Sequence, residues 1–170
     1  MHYLTKSAPF LKPFGLMAFI MGFVIAATLN LAHAADRHAE YYYPVSESKE
    51  IYWSFAKPFA DSSKRGRVGL TVGLNAQQRK RPYAPEYHIF AKGSDAQKMI
   101  IVATNSNKYN TLYRLRALLA SLTADARVSE LFRKLPNPED ANFLDLARMA
   151  GFTLVTITDG DKLAHQIELQ

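Results

Sequence analysis

The stretch Val68-Gly69-Leu70-Thr71-Val72-Gly73-Leu74 sets an apolar side chain at every second position, with glycine or threonine between. A period of two residues is the mark of a half-buried strand, so this stretch is the clearest strand the sequence offers. Its second face is nearly bare of side chains, which invites the close approach of a backbone or a helix. Just upstream, Asp61 to Arg67 reads as a charged turn. Before it, Ile51, Trp53 and Phe55 alternate with Tyr52 and Ser54, giving another half-buried strand over Ile51 to Lys57 that Pro58 ends. Downstream, Asn75 to Pro85 is expected to be a loop, because Pro82 and Pro85 forbid helix and resist ladder pairing.

Tyr87 to Lys92 and Lys98 to Thr104 are further strands, joined as a hairpin by Gly93-Ser94-Asp95-Ala96. Met99-Ile100-Ile101-Val102-Ala103 is apolar at successive positions, which predicts a central strand covered on both faces. Asn110 is placed to cap a helix from Thr111 to about Asp125, with Leu112, Leu115, Leu119 and Leu122 inward and Arg114 and Arg116 turned away. A short helical turn through Leu131 and Phe132 follows. Asn137-Pro138-Glu139-Asp140 then supplies a cap, a first-turn proline and acids for a helix that buries Phe143, Leu146, Ala147 and Ala150 and stops at Gly151. Asp159-Gly160 between two alternating runs, Phe152 to Thr158 and Asp161 to Leu169, is the signal of a tight two-residue hairpin. That register sets Thr158 opposite Asp161 and Leu154 opposite His165, with Phe152, Leu154, Leu163, His165 and Ile167 on the core side. The order of strands, helices and hairpin predicts an α+β fold: an antiparallel sheet of about five to six strands with two to three helices on one face.

Lys6 and Lys12 precede an uncharged stretch, Phe14 to Leu31, and Ala32-His33-Ala34 follows it. This is the layout of a secretory signal peptide, cut between Ala34 and Ala35. At 18 residues the stretch is also near the lower limit for a membrane span, so an uncleaved N-terminal anchor is the competing reading. Either one delivers the remainder outside the cytoplasm, to the periplasm or beyond the cell. The expected organisation is a signal peptide over residues 1–34, a loosely held arm over 35–48 carrying Tyr41-Tyr42-Tyr43-Pro44, and a single α+β domain over 49–170. The chain has no Cys, which excludes disulfides, a thiolate nucleophile and a thiolate zinc site. Its 48% apolar content excludes a disordered or collagen-like chain.

Charge is unevenly divided. Residues 35–116 carry 14 basic and 7 acidic side chains, whereas residues 117–170 carry 5 and 8. Lys64, Arg65, Arg67, Arg79, Lys80 and Arg81 follow one another without an intervening acid. Arg79-Lys80-Arg81 beside Tyr83, together with Arg65 and Arg67, point to contact with an anionic partner, since guanidinium forks suit phosphate or carboxylate and a ring adds stacking surface. In an exported protein that partner is an anionic envelope component, phosphorylated lipid or glycan, or an acidic protein, rather than nucleic acid. Without a partner, the same cations make a solvated, solubilising loop.

The remaining candidates carry less chemistry. His88 lies with Glu86 and Phe90 on an alternating strand, and His165 lies with Leu163 and Ile167, so His165 is expected in or near the core. Asp159 and Asp161 flank Gly160 as a carboxylate pair, but the further ligands of a calcium loop are missing and turn chemistry accounts for both. Gly66, Gly69 and Gly73 form no phosphate-binding motif, and Ser121 sits in a helix rather than in Gly-x-Ser-x-Gly. His38 would complete a nitrogen set for Cu(II) or Ni(II) if Asp36 were the mature N-terminus, although cleavage at Ala35 puts it one residue too far. No cofactor is expected and no catalytic residue is assigned.

Ala35-Asp36-Arg37-His38-Ala39 with Tyr41-Tyr42-Tyr43-Pro44, the block from Arg81-Pro82-Tyr83 to Phe90-Ala91-Lys92-Gly93, and Ile157-Thr158-Asp159-Gly160-Asp161 with Ala164-His165-Gln166 resemble a family of short exported proteobacterial proteins. Members of that family are sometimes labelled molybdopterin-guanine dinucleotide biosynthesis protein A. The label implies a nucleotide-handling or molybdenum-cofactor biosynthesis protein, the second functional class for this chain. Such a guanylyltransferase has a strand followed by Leu-Ala-Gly-Gly-x-Ser, a nearby Arg-Met-Gly and metal-binding aspartates; the nearest stretch here, Val68 to Leu74, lacks the loop. The resemblance therefore transfers no catalytic residue. The leading expectation is an exported binding or accessory module, not an enzyme.

Overall fold

The computed structural model describes residues 46, 48–60 and 62–170. The expected signal peptide, Asp36, His38 and nearly all of the arm lie outside them. Strand β1 (Ser48–Tyr52) is followed by helix α1 (Lys64–Arg79), the β2 (Tyr87–Lys92) and β3 (Lys98–Ala103) pair, helix α2 (Leu112–Arg127), a 3-10 turn (Phe132–Lys134), helix α3 (Phe143–Met149), and strands β4 (Leu154–Thr158) and β5 (Ala164–Leu169). The fold is α+β, with three helices and one five-stranded sheet among the described residues, in the order β1-β5-β4-β3-β2. The sheet is mixed, which corrects the antiparallel expectation. β2 with β3 and β4 with β5 run antiparallel, but β3 with β4 and β1 with β5 run parallel. A tight turn can join only antiparallel strands, whereas α2 and α3 give the chain the length it needs to cross from β3 back to a parallel β4.

The largest correction concerns Val68 to Leu74, which is the interior of α1. Ser63 starts the helix, its hydroxyl accepting from the Gly66 amide at 3.1 Å. Arg67, Thr71, Leu74 and Gln78 form the inward stripe, a spacing of four, three and four residues. The alternating valines are solvent-facing instead: Val68 and Val72 are both exposed. Arg67 anchors one end of α1 from a buried position. Its guanidinium donates to the Asp95 carbonyl at 2.7 and 3.1 Å, to the Asp95 carboxylate at 3.0 Å and to the Ser62 carbonyl at 2.9 Å. These bonds, and others at Asn75 and Gln78, hold a helix that its two interior glycines, Gly69 and Gly73, weaken by about 1 kcal/mol each.

The β2–β3 hairpin forms as expected, and β3 lies inside the sheet with Met99, Ile100, Ile101 and Ala103 buried. Residues Met99, Ile101, Val155, Ile157 and Ile167 share one sheet face by the ladder registers. They meet Leu115, Leu118 and Leu122 of α2 and Phe143, Leu146 and Ala147 of α3 in one apolar core. The α2 cap is Thr111, one residue after Asn110, and its side chain accepts from the Arg114 amide. For α3 the cap is Asn142 rather than Asn137, with Asp145 completing a capping box. Asn137-Pro138-Glu139-Asp140 is a separate turn whose Asn137 carbonyl accepts from the Asp140 and Ala141 amides. Gly151 does end α3, at φ +89°, where an added Cβ would lie 2.8 Å from the Arg67 guanidinium.

The β4–β5 connection is longer than a two-residue turn. Thr158 pairs with Ala164 and Leu154 with Glu168, leaving Asp159 to Leu163 in the loop. The Asp159 carboxylate accepts from the amides of Asp161, Lys162 and Leu163 at 2.9 to 3.0 Å, and gathering three amides takes a five-residue turn. Leu154 consequently faces away from the core, while His165 and Ile167 remain on the core side.

Candidate functional site

The predicted cations do not form one cluster. Arg65 and Arg67 sit in the first turn of α1, and Arg79 closes its last turn, about 20 Å away at a rise of 1.5 Å per residue. Arg67 is buried and donates to Ser62 and to Asp95, whose own side chain is exposed, whereas Arg65 is exposed throughout. At the far end Arg79, Lys80 and Tyr83 are exposed, Tyr83 at 80%. Arg81 reaches back to form an ion pair with Asp125 of α2.

That ion pair belongs to a buried network. Asp125 also accepts from the Tyr87 hydroxyl of β2 and from the Gln78 amide of α1, and its own backbone carbonyl accepts from Gln77 Nε2 at 3.0 Å. Burial pushes the Tyr87 phenol far above its ordinary value, and the Asp125 hydrogen bond and charge push it the same way against Arg81 and Gln78. Tyr87 thus remains a proton donor to the carboxylate throughout the physiological range. The chemistry of this end is electrostatic: a fixed internal carboxylate orients Arg81 and the start of the following loop, and Arg79, Lys80 and Tyr83 project beyond it.

The opposite edge of the sheet, on the same helix-covered face, carries a polar constellation that sequence reasoning missed. Along β1 the side chains Ser48, Glu50, Tyr52 and, just beyond the strand, Ser54 all turn toward the helices. His165, only 3% exposed, has Nδ1 at 2.9 Å from Ser48 Oγ and Nε2 at 3.4 Å from Glu50. Arg116 of α2 pairs with the same Glu50 at 3.1 Å. Tyr52 donates to the Asp145 carboxylate at 3.1 to 3.2 Å, and Ser54 donates to it at 2.7 Å. Burial raises the Tyr52 phenol above its ordinary value, opposed by the Asn142 hydrogen bond and reinforced by Asp145. Serine, histidine and glutamate in mutual reach is the residue set of an activated hydroxyl. Here the ring nitrogens face Ser48 and Glu50 of one strand, so the set ties β1 to β5 while Arg116 ties it to α2.

The strand expected over Ile51 to Lys57 lies instead at Ser48–Tyr52, and the apolar side of the alternation faces the opposite way from the half-buried strand expected of it. Ile51, Trp53 and Phe55 point outward, exposed at 54%, 71% and 90%. Period alone identifies two faces and not which of them is inside. The sequence signal for the true arrangement is the succession Ser48, Glu50, Tyr52, Ser54, each able to hydrogen-bond within a helix–sheet layer.

His88 and His165 stay apart, on β2 and β5 with two strands between them and on opposite sheet faces. Among the described residues no group of three or more His, Asp and Glu side chains is arranged to hold a metal ion. No helix among them is long and apolar enough to cross a membrane. No family model, no curated protein and no solved structure matches this chain.

Proposed function

We propose that the protein is an exported binding module that holds an anionic component of the cell envelope at the C-terminal end of α1. The observation that carries this reading is the contrast between neighbouring cations. Arg67 and Arg81 are held in ion pairs with Asp95 and Asp125, whereas Arg79 and Lys80, beside the exposed ring of Tyr83, project outward. Arg81 holds the turn in place, and its neighbours present the charge. Guanidinium and ammonium groups at a fixed spacing recognise carboxylate or phosphate oxygens, and an adjacent ring contributes apolar contact. Arg65, at the other end of the helix, extends the positive field along the same element.

The test is charge reversal that spares the internal network: Arg79→Glu with Lys80→Glu, leaving Arg81 in place. Retention on a polyglutamate or heparin matrix, and crosslinked capture of envelope components, should both fall relative to the unaltered protein. Retention and capture that survive the double reversal would remove α1 as the contact surface.

A further inference from the structure

The polarity of β1 is reversed. Its inward side chains are Ser48, Glu50, Tyr52 and Ser54, each tied to His165, Arg116 or Asp145. Its outward side chains form the row Lys49, Ile51, Trp53 and Phe55, with exposed Lys57 two residues further on. The extended pairing that sets this parity continues past the strand: the Ser54 amide donates to the Gln170 carbonyl at 2.9 Å, and the Gln170 amide donates to the Tyr52 carbonyl at 3.0 Å. Ile51 and Trp53 thus stand outward along the extended segment, exposed Phe55 follows at the bend after it, and a lysine lies in sequence at either end. The fold gains nothing from their exposure, because polar contacts on the other side of the strand do the anchoring.

We infer that this row is a docking edge for the surface of an anionic phospholipid bilayer. Tryptophan and phenylalanine settle at the boundary between headgroups and acyl chains. Lysines flanking them lay their stems along the apolar zone and leave their charges with the phosphates. The neighbouring strand β5 turns Gln166 and Glu168 to the same outward face, so the apolar strip is one strand wide and meets a bilayer edge-on. Among the described residues β1 is the last strand of the sheet, and none of them pairs beyond it to obstruct that approach. Charge selects lipid over a second copy of the chain. A second copy docked on the same surface would bring its own Lys49 and Lys57 toward these, and like charges brought together weaken such a contact. The α1 cations lie at the opposite edge of the sheet, so this surface is independent of the anion contact proposed there.

Trp53 is the only tryptophan in the chain, and its emission reports this surface alone. The full-length protein is titrated with vesicles of phosphatidylglycerol and phosphatidylethanolamine, with and without brominated acyl chains, and with phosphatidylcholine vesicles as the uncharged control. Emission should move to the blue and be quenched by bromine on the anionic vesicles, and much less on the control. Phe55→Ser should require at least about tenfold more lipid for the same blue shift, and Lys49→Gln or Lys57→Gln about fivefold more each. Because the readout is Trp53 itself, binding through the N-terminal apolar stretch does not imitate it. Protein that sediments with vesicles while Trp53 still emits as in water overturns the inference. So does a blue shift that grows with protein concentration without lipid, which would assign the row to self-association. Far-UV spectra and thermal unfolding of the variants should match the parent, since Lys49, Phe55 and Lys57 are all exposed.

Discussion

At one edge of the sheet β2 is closed, and at the other β1 is open. The Asn75 carboxamide on α1 accepts from the Ile89 amide at 2.9 Å and donates to the Ile89 carbonyl at 2.7 Å, taking the place of a neighbouring strand. Asp125 locks the same edge by holding Tyr87 of β2 together with Gln78 and Arg81. β1 has no such cover among the described residues and turns Ile51, Trp53 and Phe55 into solvent. An edge strand is a standing invitation to pair, and proteins blunt it with cover or with charge. This chain uses cover at β2, where the edge serves the fold, and a lysine on β1 with a second beyond it, where exposed apolar side chains remain available to a surface.

The comparison can be broken most severely at Asp125. Asp125→Ala leaves the buried Tyr87 hydroxyl and Gln78 amide without their acceptor and frees Arg81, and should cost about 3 kcal/mol in chemical denaturation. Asn75→Ala opens the closed edge itself. It should cost about 2 kcal/mol, raise hydrogen exchange at the Ile89 amide and promote self-association seen in sedimentation. In the opposite direction, Gly69→Ala with Gly73→Ala should stabilise the protein by about 1 to 2 kcal/mol, since in α1 an added Cβ at either position meets nothing within 4 Å. A helical α1 predicts that gain together with an unchanged far-UV spectrum. At the open edge, Trp53→Ser with Phe55→Ser should alter stability by less than about 0.5 kcal/mol while abolishing vesicle contact, in contrast to Asn75→Ala.

The smallest effect is expected at the β4–β5 turn. Burial alone would raise the Asp159 carboxyl, but backbone amides of Asp161, Leu163 and Lys162 outweigh it and hold the group below its ordinary value of 3.8. A carboxyl lowered in the folded state contributes stability above the ordinary value and loses it as pH falls through the folded value. The stability difference between the parent and Asp159→Asn should therefore be flat near neutrality and shrink below pH 3.8, measured by thermal unfolding across an acid series.

Local sequence proved sufficient where one short segment held the whole signal. Gly93-Ser94-Asp95-Ala96 between two apolar runs marked the β2–β3 hairpin, and the unbroken Met99-Ile100-Ile101-Val102-Ala103 marked a strand covered on both faces. The same logic failed at Val68 to Leu74, because residues four apart on a helix also recur at even spacing, and seven residues do not separate the two periods. The missing information lay in distant partners: Arg67 is fixed by Asp95, 28 positions on, and Arg81 by Asp125, 44 positions on. Those partners also divided the six cations into internal ties and an outward group, which spacing along the chain had no means to do.

The sequence by itself determined that an uncharged apolar stretch precedes a cysteine-free α+β domain, where most of its strands and helices fall, and that its positive charge concentrates in the first part of that domain. Such properties follow from composition and from contacts within a few residues. Only the tertiary structure decided that β3 runs parallel to β4 and β1 to β5, that the β4–β5 register follows the amides gathered by Asp159, and that β1 faces its apolar side outward. Each of these depends on which of two equivalent faces or registers meets a partner remote in sequence, a choice that the free energy of packing makes and a local pattern leaves open.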